Sequence, residues 1–232
     1  MSDDDRENGE EPAVLPMPPV VAALFIVLIG IELAFFLGTQ GIVGGPGAVG
    51  WRLAAVQRFG FSGDILWWMI ETGRWPANHM IRFVSYPFVA ASFTNALVAG
   101  VMLLALGKMV AEVFGAISML LIFFVSSAVG ALAYGLLAGD PYPLLGSFPA
   151  VYGMIGGYTY LMWRSLEIVG ASQLRAFSLI AVLMGVQLGF GLFFDVQKDW
   201  IADLAGFLSG FVLSIVLAPG GLRALLARIR RD

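Results

Sequence analysis

Residues 144–158 read LLGSFPAVYGMIGGY, and this stretch predicts the start of a closely packed membrane helix. Ser147 stands two residues before Pro149. This order is typical of a helix start, because a serine side chain can cap the first turn and proline is tolerated inside it. Gly153 and Gly157 follow at helical spacing. Small residues at that spacing let two helices approach closely within a membrane.

The composition of the whole chain indicates a membrane protein with several spans. Of its 232 residues, 59% are hydrophobic and only 12% are charged, whereas a soluble domain carries about a quarter charged residues. Six spans of about 20 residues need roughly 120 apolar positions, and the chain has enough of them. The composition therefore excludes a soluble globular protein.

Six apolar runs predict six transmembrane helices, since backbone groups in lipid must be paired within each span. The predicted spans cover residues 18–37, 82–109, 113–137, 148–163, 176–194 and 200–217. The segment between the first two, residues 38–78, holds four of the six tryptophans, which favour the membrane–water interface. Within it, WRLAAVQRF and DILWWMI each predict a short helix lying in that interface. An ordinary tryptophan-rich loop is the alternative.

The two ends of the chain differ in charge from its body. Six acidic residues fall within the first eleven, so residues 1–16 are predicted to form a disordered acidic tail. A membrane domain over 17–220 and a short basic tail over 221–232 follow. With six spans, both termini share one side, and eight of the thirteen lysines and arginines fall there. The positive-inside rule then predicts cytoplasmic termini, and we expect the protein in a bacterial inner membrane.

The chain has no cysteine and a single histidine, His79. Disulfides, thiolate metal sites and a cysteine nucleophile are therefore excluded, and we expect no metal and no cofactor. Any serine–histidine catalysis would have to use His79, which is more typical of an interfacial side chain. The body of the chain has no strong charge excess, so no nucleic-acid partner is expected. The predicted partners are the lipid bilayer and either transmembrane client proteins or a larger membrane complex.

Three stretches, in this order, resemble the rhomboid superfamily of intramembrane serine proteases. They are MIRFVSYPFVAASFTNALVAGVMLLALGKMVAEVFG, LLGSFPAVYGMIGGY and DWIADLAGFLSGF. The resemblance extends over roughly residues 17–220. It implies an all-α membrane protein, a six-transmembrane-helix rhomboid-like bundle with a long interfacial first loop. It also implies that the fourth and sixth helices pack together through Gly153, Gly157, Gly206 and Gly210.

The first of these stretches is similar to the family's exit from its first loop. Arg82, Phe88, Gly107 and Glu112 follow the order of the family pattern, with Glu112 one residue late. The family's glutamate resembles an anchor at the end of the second helix, and Glu112 is expected to serve as one.

The catalytic positions of the family pattern are altered in this chain. Gly146-Ser147-Phe148-Pro149 occupies the Gly-x-Ser-Gly slot, which puts Phe148 at the nucleophile position and Asp203 at the base position. Asn95 stands at the family's histidine on the second helix and Ala99 at its asparagine. Losing one oxyanion donor costs about 2.7–4 kcal/mol of transition-state stabilisation, and phenylalanine has no group that attacks a carbonyl. The resemblance therefore implies a rhomboid pseudoprotease with no catalytic residues.

The same positions predict a cleft that binds clients without cutting them. It comprises Asn95, Ser147, Phe148, Tyr152 and Asp203. Asp203 is expected to bond with the Tyr152 hydroxyl or with Asn95.

Two other functions remain open. The first is an active rhomboid-type serine endopeptidase with Ser147 as nucleophile. The second is a small channel or carrier that uses Glu32 and Asp203. Ionisable residues at membrane depth are costly and usually mark a functional site. Glu32 is predicted to be kept protonated by lipid, or to contact Arg52 or Arg82, and the sequence does not choose among these.

Overall fold

The computed structural model describes residues 16–193 and 197–218, and most of this part of the chain is helical. No β-strand occurs within it, although an antiparallel bridge joins Phe61 to Leu144. The acidic tail predicted over residues 1–16 lies outside the described residues except for its last residue. The basic tail predicted over 221–232 lies outside them entirely.

The described residues form ten α-helices connected by turns and short 3-10 segments. In chain order they are α1 (Pro19–Thr39), α2 (Trp51–Phe59), α3 (Gly63–Thr72), α4 (Ala77–Met80), α5 (Arg82–Ser85), α6 (Phe93–Phe114), α7 (Ala116–Leu137), α8 (Phe148–Val169), α9 (Ser178–Phe193) and α10 (Trp200–Leu217). The two short helices predicted in the first loop are confirmed as α2 and α3. Their position in the membrane interface stays a prediction.

Four helices of the described chain, α1, α6, α7 and α10, are long and apolar enough to cross a membrane. The all-α class and the membrane character are therefore confirmed. The count of six spans stays a prediction, because α8 and α9 do not meet the same criteria of length and apolarity. The helix α8 has 22 residues but includes polar ones such as Thr159, Arg164 and Glu167. The described helix α9 has only 16 residues.

The start of the second long helix differs from the prediction. The span predicted over residues 82–109 begins instead with the short helix α5 and a 3-10 turn at Tyr86–Phe88, and α6 starts only at Phe93. The Ser92 side chain accepts a hydrogen bond from the Asn95 backbone N–H at 3.2 Å and so caps α6. Pro87 lies in the 3-10 turn, and proline disfavours a continuous helix. The prediction from the apolar run alone therefore set the start of this helix too early in the chain.

The contact between α8 and α10 is the tightest in the bundle and depends on glycine. A Cβ atom built at Gly206 would overlap the Pro149 carbonyl, and one at Gly210 would overlap the Gly153 carbonyl. The apolar side chains of α8 around this contact, including Met154 and Ile155, are fully buried. The two backbones are therefore in direct contact, and α10 holds the start of α8 in place.

Candidate functional site

A small cleft lies where α1, the start of α6 and the start of α8 meet. Its walls are formed by Leu28, Pro87, Phe88, Ala90, Asn95, Ala96, Leu145, Gly146, Ser147 and Phe148. Gly146 has a positive φ of 82°, and its N–H donates to the Val89 carbonyl at 2.9 Å. This bond fixes the segment before α8 against the turn before α6. The cleft thus brings together three of the predicted site residues, Asn95, Ser147 and Phe148.

Ser147 and Phe148 begin α8, but Ser147 does not cap the helix with its side chain. It occupies the N-cap position with φ −92° and ψ 12°, and its side chain makes no capping hydrogen bond. The residue is only 3% exposed. Pro149 in the first turn has no N–H to offer, so one backbone donor is missing where the family pattern has glycine. Phe148, which the resemblance assigns to the nucleophile position, lines the cleft.

The single histidine of the chain lies apart from this cleft. His79 is on α4, and its ring packs edge-on against Trp68 with ring centroids 5.8 Å apart. Its Nδ1 atom is buried without a hydrogen-bond partner among the described residues. His79 therefore does not form a serine–histidine pair through Nδ1.

Tyr152 and Asp203 form a second group that does not line the cleft. Tyr152 lies one turn after Phe148 and packs in a cluster with Ile155, Ile180 and Phe207. Asp203, in the first turn of α10, is 2% exposed. The five predicted cleft residues are thus divided between the cleft and a buried group that does not line it.

The expected hydrogen-bond partners of Asp203 were wrong. The donor is Gln187 of α9, whose Nε2 atom lies 2.8 Å from Asp203 Oδ2. Tyr152 is close enough to Asp203 to interact electrostatically, but no hydrogen bond joins them within the described chain. A glutamine inside the apolar run of α9 was the available signal, and the sequence prediction missed it.

Two other residues that the resemblance aligned with family positions lie on α6. Ala99 is 2% exposed and packs in the main core of the bundle, so it offers no polar group to the cleft. Glu112 lies in the last turn and is paired with Lys108 at 3.8 Å. This pair is one turn apart on the same helix and partly exposed.

The model of the Rhomboid domain family matches residues 77–220 of this chain. The protein belongs to the rhomboid family. The matched region runs from α4 through α10 and includes every cleft residue except Leu28, together with Asp203. The resemblance stated from three sequence stretches is therefore confirmed. No curated protein matches this chain in sequence.

The first loop of this rhomboid protein is tied to α1 and to the cleft by Arg52. The guanidinium forms a salt bridge with Glu32, which is 2% exposed. Its Nη1 atom also donates to the Ala90 carbonyl at 2.8 Å, and Ala90 lines the cleft. Of the three possibilities left open for Glu32, the structure therefore selects Arg52. Arg82 instead donates to the carbonyls of Gln57 and Gly60 at 2.7 and 2.8 Å.

Hydrogen bonds join the segment after α7 to the segment before α10. The Lys198 backbone N–H donates to Asp140 Oδ2 at 3.1 Å, and Lys198 Nζ donates to the Ala138 carbonyl at 2.9 Å. Burial, together with the Asp140 carboxylate, raises the pKa of Asp199 to about 6, against the opposing effect of a hydrogen bond from Gln197. Two carboxylates are thus held close together at this end of the rhomboid bundle.

We expect Asp199→Asn to raise the free energy of unfolding at neutral pH. The pKa of Asp199 is about 6 in the folded protein against an ordinary 3.8. The folded state therefore binds more protons between these values, and stability falls as the pH rises through this window. The difference corresponds to about 3 kcal/mol at most. The variant should be more stable than wild type by about 1–3 kcal/mol above pH 6, and no more stable below about pH 4.

Thermal unfolding in detergent across this pH range measures the effect. Asp64→Asn is the matched control, because Asp64 is an exposed carboxylate in the first turn of α3. A lower melting temperature for Asp199→Asn at neutral pH would contradict the prediction.

Proposed function

We propose that this rhomboid protein binds transmembrane segments of client proteins and does not cleave them. The observation that carries the proposal is that the cleft is lined by Phe148, the residue that the resemblance assigns to the nucleophile position. Asp203, at the base position, is bonded to Gln187 and does not line that cleft. A nucleophile and a base within hydrogen-bond reach of each other are the minimum for this type of catalysis.

The cleft offers a client both polar and apolar contacts. Asn95 is exposed at the start of α6, and its amide can donate to and accept from an unwound client backbone. Unpaired backbone groups are costly in lipid, so such a bond favours docking of a client helix at its frayed end. Phe148 and Phe88 supply aromatic area for the apolar side chains that follow.

The main test is co-expression with a tagged panel of single-span membrane proteins, reading cleavage and co-purification from the same gel. We expect intact partners to co-purify with wild type and equally with Ser147→Ala. Asn95→Leu should lower recovery of a partner about tenfold, since losing a hydrogen bond costs about 1–1.5 kcal/mol. Asn78→Leu is the matched control, because Asn78 is an exposed asparagine on α4 outside the cleft.

Two outcomes would contradict the proposal. Client fragments that disappear in Ser147→Ala would establish proteolysis with Ser147 as nucleophile. The absence of both fragments and bound partners would favour the channel or carrier, whose pH-dependent flux should then be lost in Asp203→Ala.

A further inference from the structure

The described side chains of α9 include a buried face that ends in a glutamine. Ile180 and Met184 are 6% and 9% exposed and pack in the cluster with Tyr152. Gln187 follows them at the next position of the same helical face. On the opposite face, Val182 and Val186 are 63% and 53% exposed. The hydrogen bond from Gln187 to Asp203 is thus a polar contact on the face where α9 meets the bundle.

Two acceptor atoms in this contact have no donor. Gln187 Nε2 donates to Asp203 Oδ2 at 2.8 Å. The other oxygen of each group, Asp203 Oδ1 and Gln187 Oε1, is buried without a hydrogen-bond partner within the described chain. Buried polar atoms in folded proteins are almost always paired. A proton on Asp203 would satisfy both, because the acid O–H can donate to the amide oxygen.

Within the described part of the chain, no cation balances an ionised Asp203 carboxylate. The described titratable groups that interact with it are Tyr152 on α8, Tyr86 in the turn before α6 and Asp199, just before α10. From α7, Tyr134 lies near Asp199. None of these is a cation, and none of the salt bridges in the described part of the chain includes Asp203. A buried, unpaired charge is unfavourable, and a buried acid with no counter-ion takes up a proton instead.

We propose that Asp203 is protonated in the resting protein and forms a closed acid–amide pair with Gln187 that latches α9 onto α10. In this pair Gln187 Nε2–H donates to Oδ2 and Asp203 Oδ1–H donates to Gln187 Oε1. When Asp203 ionises, its Oδ1–H bond breaks, the proton passes to water and the second hydrogen bond is lost. The latch then opens at alkaline pH.

Infrared spectroscopy tests the proton directly, without any client. We expect wild type at neutral pH to show the carbonyl stretch of a protonated carboxylic acid, shifted by deuterium exchange and absent from Asp203→Asn. The matched control Asp64→Asn should retain the band, since Asp64 is exposed. A wild-type spectrum without this band, or a band that persists in Asp203→Asn, would overturn the proposal.

Single-cysteine labelling tests the latch itself, because the natural chain has no cysteine. The labelling rate of Ile180→Cys reports the buried face of α9 and that of Val182→Cys its exposed face. The ratio of the two rates is compared with the same ratio in Asp203→Asn, which accounts for the ordinary rise of thiolate with pH. In the Asp203 background this ratio should rise about tenfold from neutral to alkaline pH, the effect of losing one hydrogen bond. With Asp203→Asn it should stay low and constant, because an asparagine–glutamine pair makes both bonds at every pH.

The comparison with Asp203→Leu completes the test. Leucine cannot bond to Gln187, so the labelling ratio should be high at neutral pH. Equal ratios in the asparagine and leucine variants would overturn the latch. If the leucine variant does not fold, the infrared band and the pH dependence of labelling in the asparagine variant still test the proposal. Since no client is present, these results are independent of the client-capture experiment.

Discussion

Gly210→Ala is expected to destabilise the protein severely although it adds a single methyl group. The new Cβ would overlap the backbone carbonyl of Gly153, and neither α8 nor α10 can yield by a side-chain rotation. Overpacking of a core by flexible groups costs about 1–3 kcal/mol, and a clash between two backbones exceeds the low end of that range. With a total stability of about 5–15 kcal/mol, such a loss removes a substantial part of the free energy of unfolding and should lower the melting temperature clearly.

Gly185→Ala provides the matched control with an effect of the opposite sign. Gly185 lies inside α9 with no atom within 4 Å of a built Cβ. Alanine stabilises an unobstructed helix position by about 0.5–1 kcal/mol. Resistance to unfolding by heat or denaturing detergent should therefore rise slightly in this variant and fall steeply in Gly210→Ala. Equal behaviour of the two would show that the close contact of α8 with α10 does not limit stability.

Arg52→Ala is expected to lower the free energy of unfolding by about 3–5 kcal/mol, because it leaves a buried carboxylate without its partner. Glu32 is 2% exposed and Arg52 is its ion-pair partner. The substitution also removes the hydrogen bond to the Ala90 carbonyl, which lies in the cleft wall. Client recovery should therefore fall together with stability.

The control for this prediction is Arg164→Ala. Arg164 pairs with Glu167 on α8, but both side chains are about half exposed, at 53% and 46%. Exposed pairs contribute about 0–1 kcal/mol, so the melting temperature should hardly change. Adding Glu32→Gln to Arg52→Ala should recover part of the lost stability, since the uncompensated charge is removed. No recovery in the double variant would show that the loss comes from packing and not from the buried charge.

The sequence predicted the features of this protein that depend on local pattern. Apolar runs of about 20 residues identify α1, α6, α7 and α10, because the cost of burying polar groups in lipid acts on every residue of a span. The tryptophan-rich segments WRLAAVQRF and DILWWMI form the helices α2 and α3. The three family-like stretches led to the rhomboid family, which the family match confirms.

Features that depend on distant contacts were not predictable in the same way. The sequence allowed Glu32 to be protonated in lipid or to contact Arg52 or Arg82. Only the folded first loop brings Arg52 to it. Asp203 was assigned the wrong partners because the orientation of α9, which presents Gln187, is set by tertiary packing. The single predicted cleft divided into two groups because Tyr152, one turn after Phe148, packs against α9 and Asp203 bonds to Gln187 of α9.

The bridge between Phe61 and Leu144 bears on how the chain is synthesised. These residues exchange two backbone hydrogen bonds, at 3.2 and 2.8 Å. Leu144 leaves the ribosome roughly 80 residues after Phe61, a delay on the order of 4–16 s at 5–20 residues per second. During that interval the first loop lacks this bridge and can be held only by contacts whose residues are already synthesised, such as the salt bridge of Arg52 with Glu32. A nascent chain stalled before residue 144 would therefore lack the two bonds that join its first loop to the segment before α8.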